Sequence, residues 1–147
     1  MTFVDLLKQK ELTISFAESM TGGALASHLT MIPGASHVFK GSLVCYDTEI
    51  KINILNVTKT LIDTYGVVSK EVSQDMAIKC QDLFKSSVAV SVTGYADGEH
   101  KDIFVTIRDH ETNVFHLIRQ DQNRRDMIQE VVAFVFNEVQ KRITHRT

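Results

Sequence analysis

The sequence predicts one α/β domain, a three-layer α/β/α sandwich around a mixed, mostly parallel sheet of about five strands. Three observations carry this reading. Short β-rich runs alternate with segments of helical period along most of the chain. One run, Val88-Ala89-Val90-Ser91-Val92-Thr93, is nearly continuous, as a strand covered on both faces must be. Near the C-terminus, two strand-like segments are separated only by Asp109-His110-Glu111, which makes them an antiparallel hairpin and the sheet mixed.

The elements follow in order. Val4, Leu6 and Leu7 indicate a short first helix, and residues 12–17 alternate as a strand. A turn rich in hydroxyls and glycine, Glu18-Ser19-Met20-Thr21-Gly22-Gly23, leads into a helix over 22–31. Pro33-Gly34, with the chain's only proline, stops that helix. Val38 to Tyr46 is a second strand, in which Gly41 marks a bulge or a close backbone approach. Short helices are expected at 47–55 and 58–64, the second with Thr58 as a candidate cap. Ser69 caps a longer helix, along which Val72, Met76, Cys80 and Leu83 recur near helical spacing. The buried strand 88–93 ends at Gly94, and Ile103–Arg108 and Val114–Arg119 form the hairpin. Residues 123–143 make a long amphipathic closing helix.

With 147 residues and no linker or repeat, residues 1–147 read as a single domain with a substantial core. Net charge is −2, so nothing in the charge balance favours nucleic acid. The basic residues Lys141, Arg142 and Arg146 suit a helix C-terminus. No apolar run reaches membrane-spanning length, and Met1-Thr2-Phe3-Val4-Asp5 lacks a basic-then-apolar leader pattern, so the expected compartment is the cytoplasm. Cys45 and Cys80 lack metal-ligand spacing, and no metal site is expected. A disulfide between them is open on sequence alone, although the expected compartment argues against it. The two strands near the C-terminus need edge cover, which favours a homo-oligomer.

In an open sheet of this kind the ligand crevice lies beyond the carboxyl ends of the strands. The turns at 18–23 and 93–99 and the strand end at Tyr46 are therefore the segments expected to meet. Read singly, these residues are ordinary. Ser19 reads as a helix cap, Tyr46 as a strand-end tyrosine, and Lys51 as a solvated lysine one turn beyond Asp47. A lysine serves as a base only where burial or a neighbouring charge lowers its pKa.

Taken together they say more. Ala17-Glu18-Ser19-Met20-Thr21-Gly22-Gly23, Pro33-Gly34-Ala35-Ser36, the segment Gly41 to Lys51, Gly66-Val67-Val68-Ser69 and Ser91-Val92-Thr93-Gly94 occur in this order. This resembles the CinA C-terminal-domain family, also known as nicotinamide-nucleotide amidases, whose pattern is roughly AESCTGG, PGAS, GxxxYxNxxK, GAVS and SxTGIAGP. The likeness runs from about residue 12 to 98, with a weaker tail to 143.

The resemblance implies an α/β/α sandwich that hydrolyses the amide of nicotinamide mononucleotide to the acid and ammonia. Carried onto this sequence, Ser19 is the nucleophile, and Lys51, through Tyr46 or directly, accepts its proton. Glu18, Thr21, Gly22, Gly23, Thr93, Gly94 and Arg125 are set on the substrate, with main-chain N–H groups near Thr21-Gly22-Gly23 holding a phosphate or the oxyanion. The partner implied is a small nucleotide. No metal or organic cofactor is called for.

The chain departs from the family pattern in three places. Met20 stands where the family has cysteine. After Gly94 the family's glycine- and proline-rich loop is replaced by the shorter Tyr95-Ala96-Asp97-Gly98-Glu99-His100-Lys101, whose carboxylates would repel a phosphate. At the closing helix, Arg125 matches the first arginine of a GDRxxxR-like element, while the second falls on Gln129 and Arg124 is a possible substitute. Three functions follow as alternatives: an active amidase, a catalytically degenerate relative that binds a nucleotide or protein, and a plain interaction domain in which Ser19 is only a cap.

Overall fold

The computed structural model describes residues 1–146. Its five strands are β1 (Ile14–Glu18), β2 (Phe39–Val44), β3 (Val88–Gly94), β4 (Asp102–Arg108) and β5 (Thr112–Ile118). They form one sheet of order β2-β1-β3-β4-β5. β1 runs parallel to both β2 and β3, whereas β3–β4 and β4–β5 are antiparallel. The sheet is thus mixed as expected: β1, β2, β3 and β5 share one direction and β4 alone is reversed. The reason is the turn 95–101, which is too short for the crossover that parallel neighbours require.

Strand parity sorts the core into two layers. Ile14 and Phe16 of β1, Val88, Val90 and Val92 of β3, and Ile103, Val105 and Ile107 of β4 share one cluster with helical residues such as Leu7, Leu25, Leu29 and Val135. These belong to α1 (Phe3–Gln9), α2 (Ala24–Thr30) and α6 (Arg124–Thr144). On the opposite face Ala17 and Ala89 meet Val72, Met76 and Cys80 of α5 (Lys70–Phe84), together with Leu55 and Val57. Hydroxyls on this face satisfy one another beneath α5: Ser73 Oγ of α5 lies 2.7 Å from Thr106 Oγ1 of β4, and Ser15 Oγ of β1 2.6 Å from Ser86 Oγ.

Local expectations meet mixed outcomes. Ser69 caps α5, its hydroxyl accepting from the Val72 N–H at 3.2 Å. Thr58 stands at the cap position of α4 (Lys59–Tyr65) without a side-chain bond, and its own N–H donates to Asp75 Oδ2 at 2.8 Å. Ser19 is not a cap: α2 begins after Gly23, whose φ of 102° is left-handed. Gly41 meets both expectations. The pairing jumps from Ile14↔Phe39 to Ser15↔Gly41, and a Cβ on Gly41 would stand 2.7 Å from the Phe84 ring. Cys45 and Cys80 are both free and buried, and burial pushes the Cys80 thiol up to about 12. Among the described residues no helix is long and apolar enough to cross a membrane, and no group of three His, Cys, Asp or Glu could hold a metal ion.

Candidate active site

β1, β2 and β3 share one direction, so their carboxyl ends bring three chain segments to one edge of the sheet. Ser19 follows β1, Tyr46 lies just past β2, and Thr93-Gly94 end β3. Helix α3 (Thr48–Asn53) begins after Asp47 and carries Lys51 back over this edge. The cavity enclosed there, about 230 Å³, is lined by Ser19, Met20, Tyr46, Lys51, Thr93, Gly94, Tyr95, Asp97 and Arg124, among others. It is smaller than the roughly 300–1,000 Å³ of sites that swallow drug-sized ligands. A ligand larger than the cavity would leave part of itself at the mouth. A larger cavity, about 650 Å³, lies at the opposite end of β3, between the β4–β5 turn and the end of α6. There Asp109 is paired with Arg142 (2.9 Å) and Arg146 (3.3 Å), and among the described residues no serine, threonine or cysteine lines the space.

Lys51 is the feature that sequence could not predict from its own neighbours. It is 2% exposed, and its Nζ lies 2.9 Å from Ser19 Oγ, 2.7 Å from the Cys45 carbonyl and 3.1 Å from the Tyr46 carbonyl. Burial lowers its pKa below the usual lysine value, against a weaker opposing pull from the Cys45 thiol and Asp47. A neutral amine has two N–H groups and one lone pair. As an ammonium Lys51 donates to all three oxygens; in its neutral form the two carbonyls, which can only accept, take both N–H groups and the lone pair faces Ser19 Oγ–H. That is the arrangement of a serine nucleophile with an adjacent base.

Tyr46 reaches this pair only through its main chain. Its side chain is 56% exposed, and its hydroxyl accepts from Arg124 Nη1 at 3.1 Å. The expected proton path from Ser19 through the Tyr46 phenol is absent from this geometry, because the ring points outward to the cavity mouth while the carbonyl points inward.

The turn after β1 also differs from expectation. Glu18 is fully buried and does not line the cavity. Its carboxylate accepts from the N–H groups of Leu25 (2.8 Å) and Ala26 (3.1 Å) and from the hydroxyls of Thr21 (2.8 Å) and Ser42 (2.7 Å). Two of the orphan donors at the start of α2, beside the Thr21-Gly22-Gly23 turn expected to hold a phosphate or the oxyanion, are thus met by an internal carboxylate. Thr21 is spent on the same carboxylate, and the Gly22 N–H bonds the Ser19 carbonyl at 3.1 Å. Gly22 and Gly23 serve the sharp turn, both with positive φ. Strand parity could have located Glu18, since it shares its face with Ile14 and Phe16.

Thr93 and Gly94 line the cavity as expected. The Thr93 hydroxyl donates to the Val67 carbonyl at 3.1 Å, fixing the 66–69 segment beside the site. At Gly94 a Cβ would come within 2.8 Å of Ile103 Cα, so β3 and β4 close up only with glycine there. Met20 is 3% exposed and fills core space next to Ser19. The shortened turn is held from below by Arg119, 6% exposed, whose guanidinium donates to the carbonyls of Gly98 and His100 and has one buried N–H, Nε, unpartnered.

Arg125 lies outside the cavity, on a surface shared with Ala24, Ile128 and Gln129. Arg124 lines it instead. Asn123 is the N-cap of α6, its Oδ1 accepting from the Asp126 N–H at 2.8 Å. The spacing Asn123…Asp126 was the available sequence signal.

Fold and site define an α/β/α domain with a buried serine–lysine pair at the carboxyl edge of its parallel strands. The chain belongs to the CinA family: residues 1–143 match the CinA C-terminal domain. A putative competence-damage inducible protein of Natranaerobius thermophilus is 37% identical over 141 residues, 94% of this chain and 35% of that protein. A CinA-like protein of Petrotoga mobilis is 47% identical over 95 residues, 65% of this chain and 24% of its own length. The chain thus spans about a quarter to a third of these relatives. The crystal structure of competence damage-inducible protein A from Klebsiella pneumoniae superposes with a TM-score of 0.91 over the whole of both chains at 19% identity, a likeness of fold. That of the competence/damage inducible protein CihA from Agrobacterium tumefaciens gives 0.87 at 26% identity, covering 97% of this chain and 92% of that one.

Proposed function

We propose that this chain is an amidohydrolase acting on the carboxamide of nicotinamide mononucleotide or a closely related nucleotide. The observation that carries the reading is the Lys51 Nζ–Ser19 Oγ contact of 2.9 Å, made by a lysine whose other bonds go to two carbonyls. Neutral Lys51 takes the Ser19 proton as Oγ attacks the carboxamide carbon. The Lys51 ammonium then protonates the departing nitrogen as the C–N bond breaks, which releases ammonia and leaves an acyl-serine. Lys51 next takes a proton from water as it attacks the ester, and returns it to Ser19 Oγ as the acid departs. No step calls for a metal or an organic cofactor.

Ammonia release from nicotinamide mononucleotide, measured beside Ser19→Ala and Lys51→Ala, tests the reading. Turnover in the wild type and its loss in both variants is expected. No turnover by folded wild-type protein across a panel of pyridine carboxamides would overturn it. A second reading, a relative that binds a nucleotide without hydrolysing it, is favoured by the rebuilt 95–101 turn, whose Asp97 engages Arg124 at the cavity mouth. It predicts ligand-dependent thermal stabilisation without ammonia release. Both readings include a homo-oligomer; of the two C-terminal strands only β5 is an edge, because β4 also pairs with β3, and the other edge is β2, so light scattering tests whether these edges pair between chains.

A further inference from the structure

The cavity mouth carries a charged contact between Arg124 and Asp97. Arg124 presents one edge of its guanidinium to Asp97, with Nε 3.0 Å from Oδ2 and Nη2 3.4 Å from Oδ1. Its Nη1 meets the Tyr46 hydroxyl at 3.1 Å. The Nε/Nη2 edge is the fork with which arginine takes a carboxylate or phosphate in two parallel bonds. Here a carboxylate of the same chain already fills it. Both side chains are half in water, 48% exposed for Arg124 and 63% for Asp97. An ion pair that exposed is a weak lock. A phosphate, with more charge and three acceptor oxygens, can take the fork while Asp97 turns to solvent. Asp97 then remains nearby as a like charge, since Arg119 fixes the turn through Gly98 and His100.

We propose that Asp97 is a resident anion of this site: its carboxylate occupies the Arg124 fork, yields it to the anionic group of the incoming ligand, and so sets how strongly the site favours phosphate-bearing ligands. Asp97 is a specificity-determining residue in this assignment, and it opposes tight phosphate binding. The inference rests on the reading of this cavity as a nucleotide site, and its test separates the two.

The experiment measures calorimetric binding in a Ser19→Ala background, which keeps the nucleotide intact, with folding checked by circular dichroism. The probes are nicotinamide mononucleotide, nicotinamide riboside, which lacks the phosphate, and inorganic phosphate. Asp97→Asn is expected to tighten the mononucleotide and inorganic phosphate about five- to tenfold and to change the riboside less than twofold. Arg124→Gln is expected to weaken the two phosphate probes and to erase the effect of Asp97→Asn when combined with it. Equal tightening of riboside and mononucleotide, or no tightening of either, overturns the proposal. So does a full Asp97→Asn effect that persists in Arg124→Gln. Ammonia release by the protein with Ser19 intact is scored separately. Its absence alongside the expected binding pattern sinks the amidase reading and leaves the role of Asp97 standing.

Discussion

Lys51 Nζ is 2.9 Å from Ser19 Oγ although the two residues sit on different elements, α3 and the turn after β1. Two carbonyls, of Cys45 and Tyr46, fix the amine in place. Removing either member should therefore remove the chemistry and leave the fold. Ser19→Ala is expected to lower amide hydrolysis by at least about 10³-fold, the scale of a lost nucleophile–base pair, while thermal unfolding shifts by less than about 1 kcal/mol, the net worth of one hydrogen bond. Retained turnover in Ser19→Ala would assign the nucleophile elsewhere.

The pH dependence follows from Lys51. Burial lowers its folded pKa below the ordinary value, so the folded chain releases this proton at a lower pH than the unfolded chain. Activity should rise with pH through the lowered pKa, as the neutral amine becomes the base. Stability should rise over the same window, from the folded pKa up to about 10.4, because there the unfolded state binds the extra proton. Below the folded pKa both states hold the proton and the full cost of burying the ammonium remains. A rate profile that does not rise with pH on the way to a plateau, or one that falls as pH increases, would exclude Lys51 as the base.

Glu18 ties the turn to the start of α2 with four hydrogen bonds. Glu18→Gln turns one acceptor into a donor facing either an N–H or a hydroxyl. The expected loss is about 1–3 kcal/mol, the cost of leaving buried partners unmatched. Denaturant titration checks it, and an unchanged midpoint would mean that the carboxylate contributes nothing to the fold.

Arg119 holds the carbonyls of Gly98 and His100 and touches no cavity residue through these bonds. Arg119→Ala should loosen the 95–101 turn and with it Asp97 and Tyr95 at the mouth. A larger effect on KM than on kcat is expected, since the Ser19–Lys51 pair is untouched. A loss confined to kcat would contradict this positioning role.

Gly94 lies where β3 and β4 come closest, with Ile103 Cα 2.8 Å from the site of a Cβ. Gly94→Ala forces the strands apart at the cavity wall. It is expected to destabilise by about 1–3 kcal/mol, as overpacking does, and the thermal midpoint reads it directly.

Much of the fold was legible because it rests on local signals. The continuous run at 88–93, the hairpin at 109–111 and the Ser69 cap each depend on residues close in sequence, and each stands where expected. Ser19, Tyr46, Thr93 and Gly94, which the sequence placed on turns and strand ends expected to meet, line one cavity together with Lys51. β4 alone runs against the other four strands, because the 95–101 turn is too short for the crossover that would make it parallel to β3. Glu18 was placed on the substrate because its motif was read as a unit, whereas its parity with Phe16 turns it inward.

The sequence by itself determined which elements form and in what order, since hydrophobic period, caps and turn residues act over a few positions. That order brings the ends of β1, β2 and β3 to one edge, with Ser19 and Lys51 near it. Only the tertiary structure decided which atoms meet. Tyr46 offers a carbonyl to Lys51 and its hydroxyl to Arg124, because main chain and side chain leave the strand end in different directions. Arg124 rather than Arg125 faces the cavity, because successive helical residues are turned by about 100° and a shift of one position changes the face.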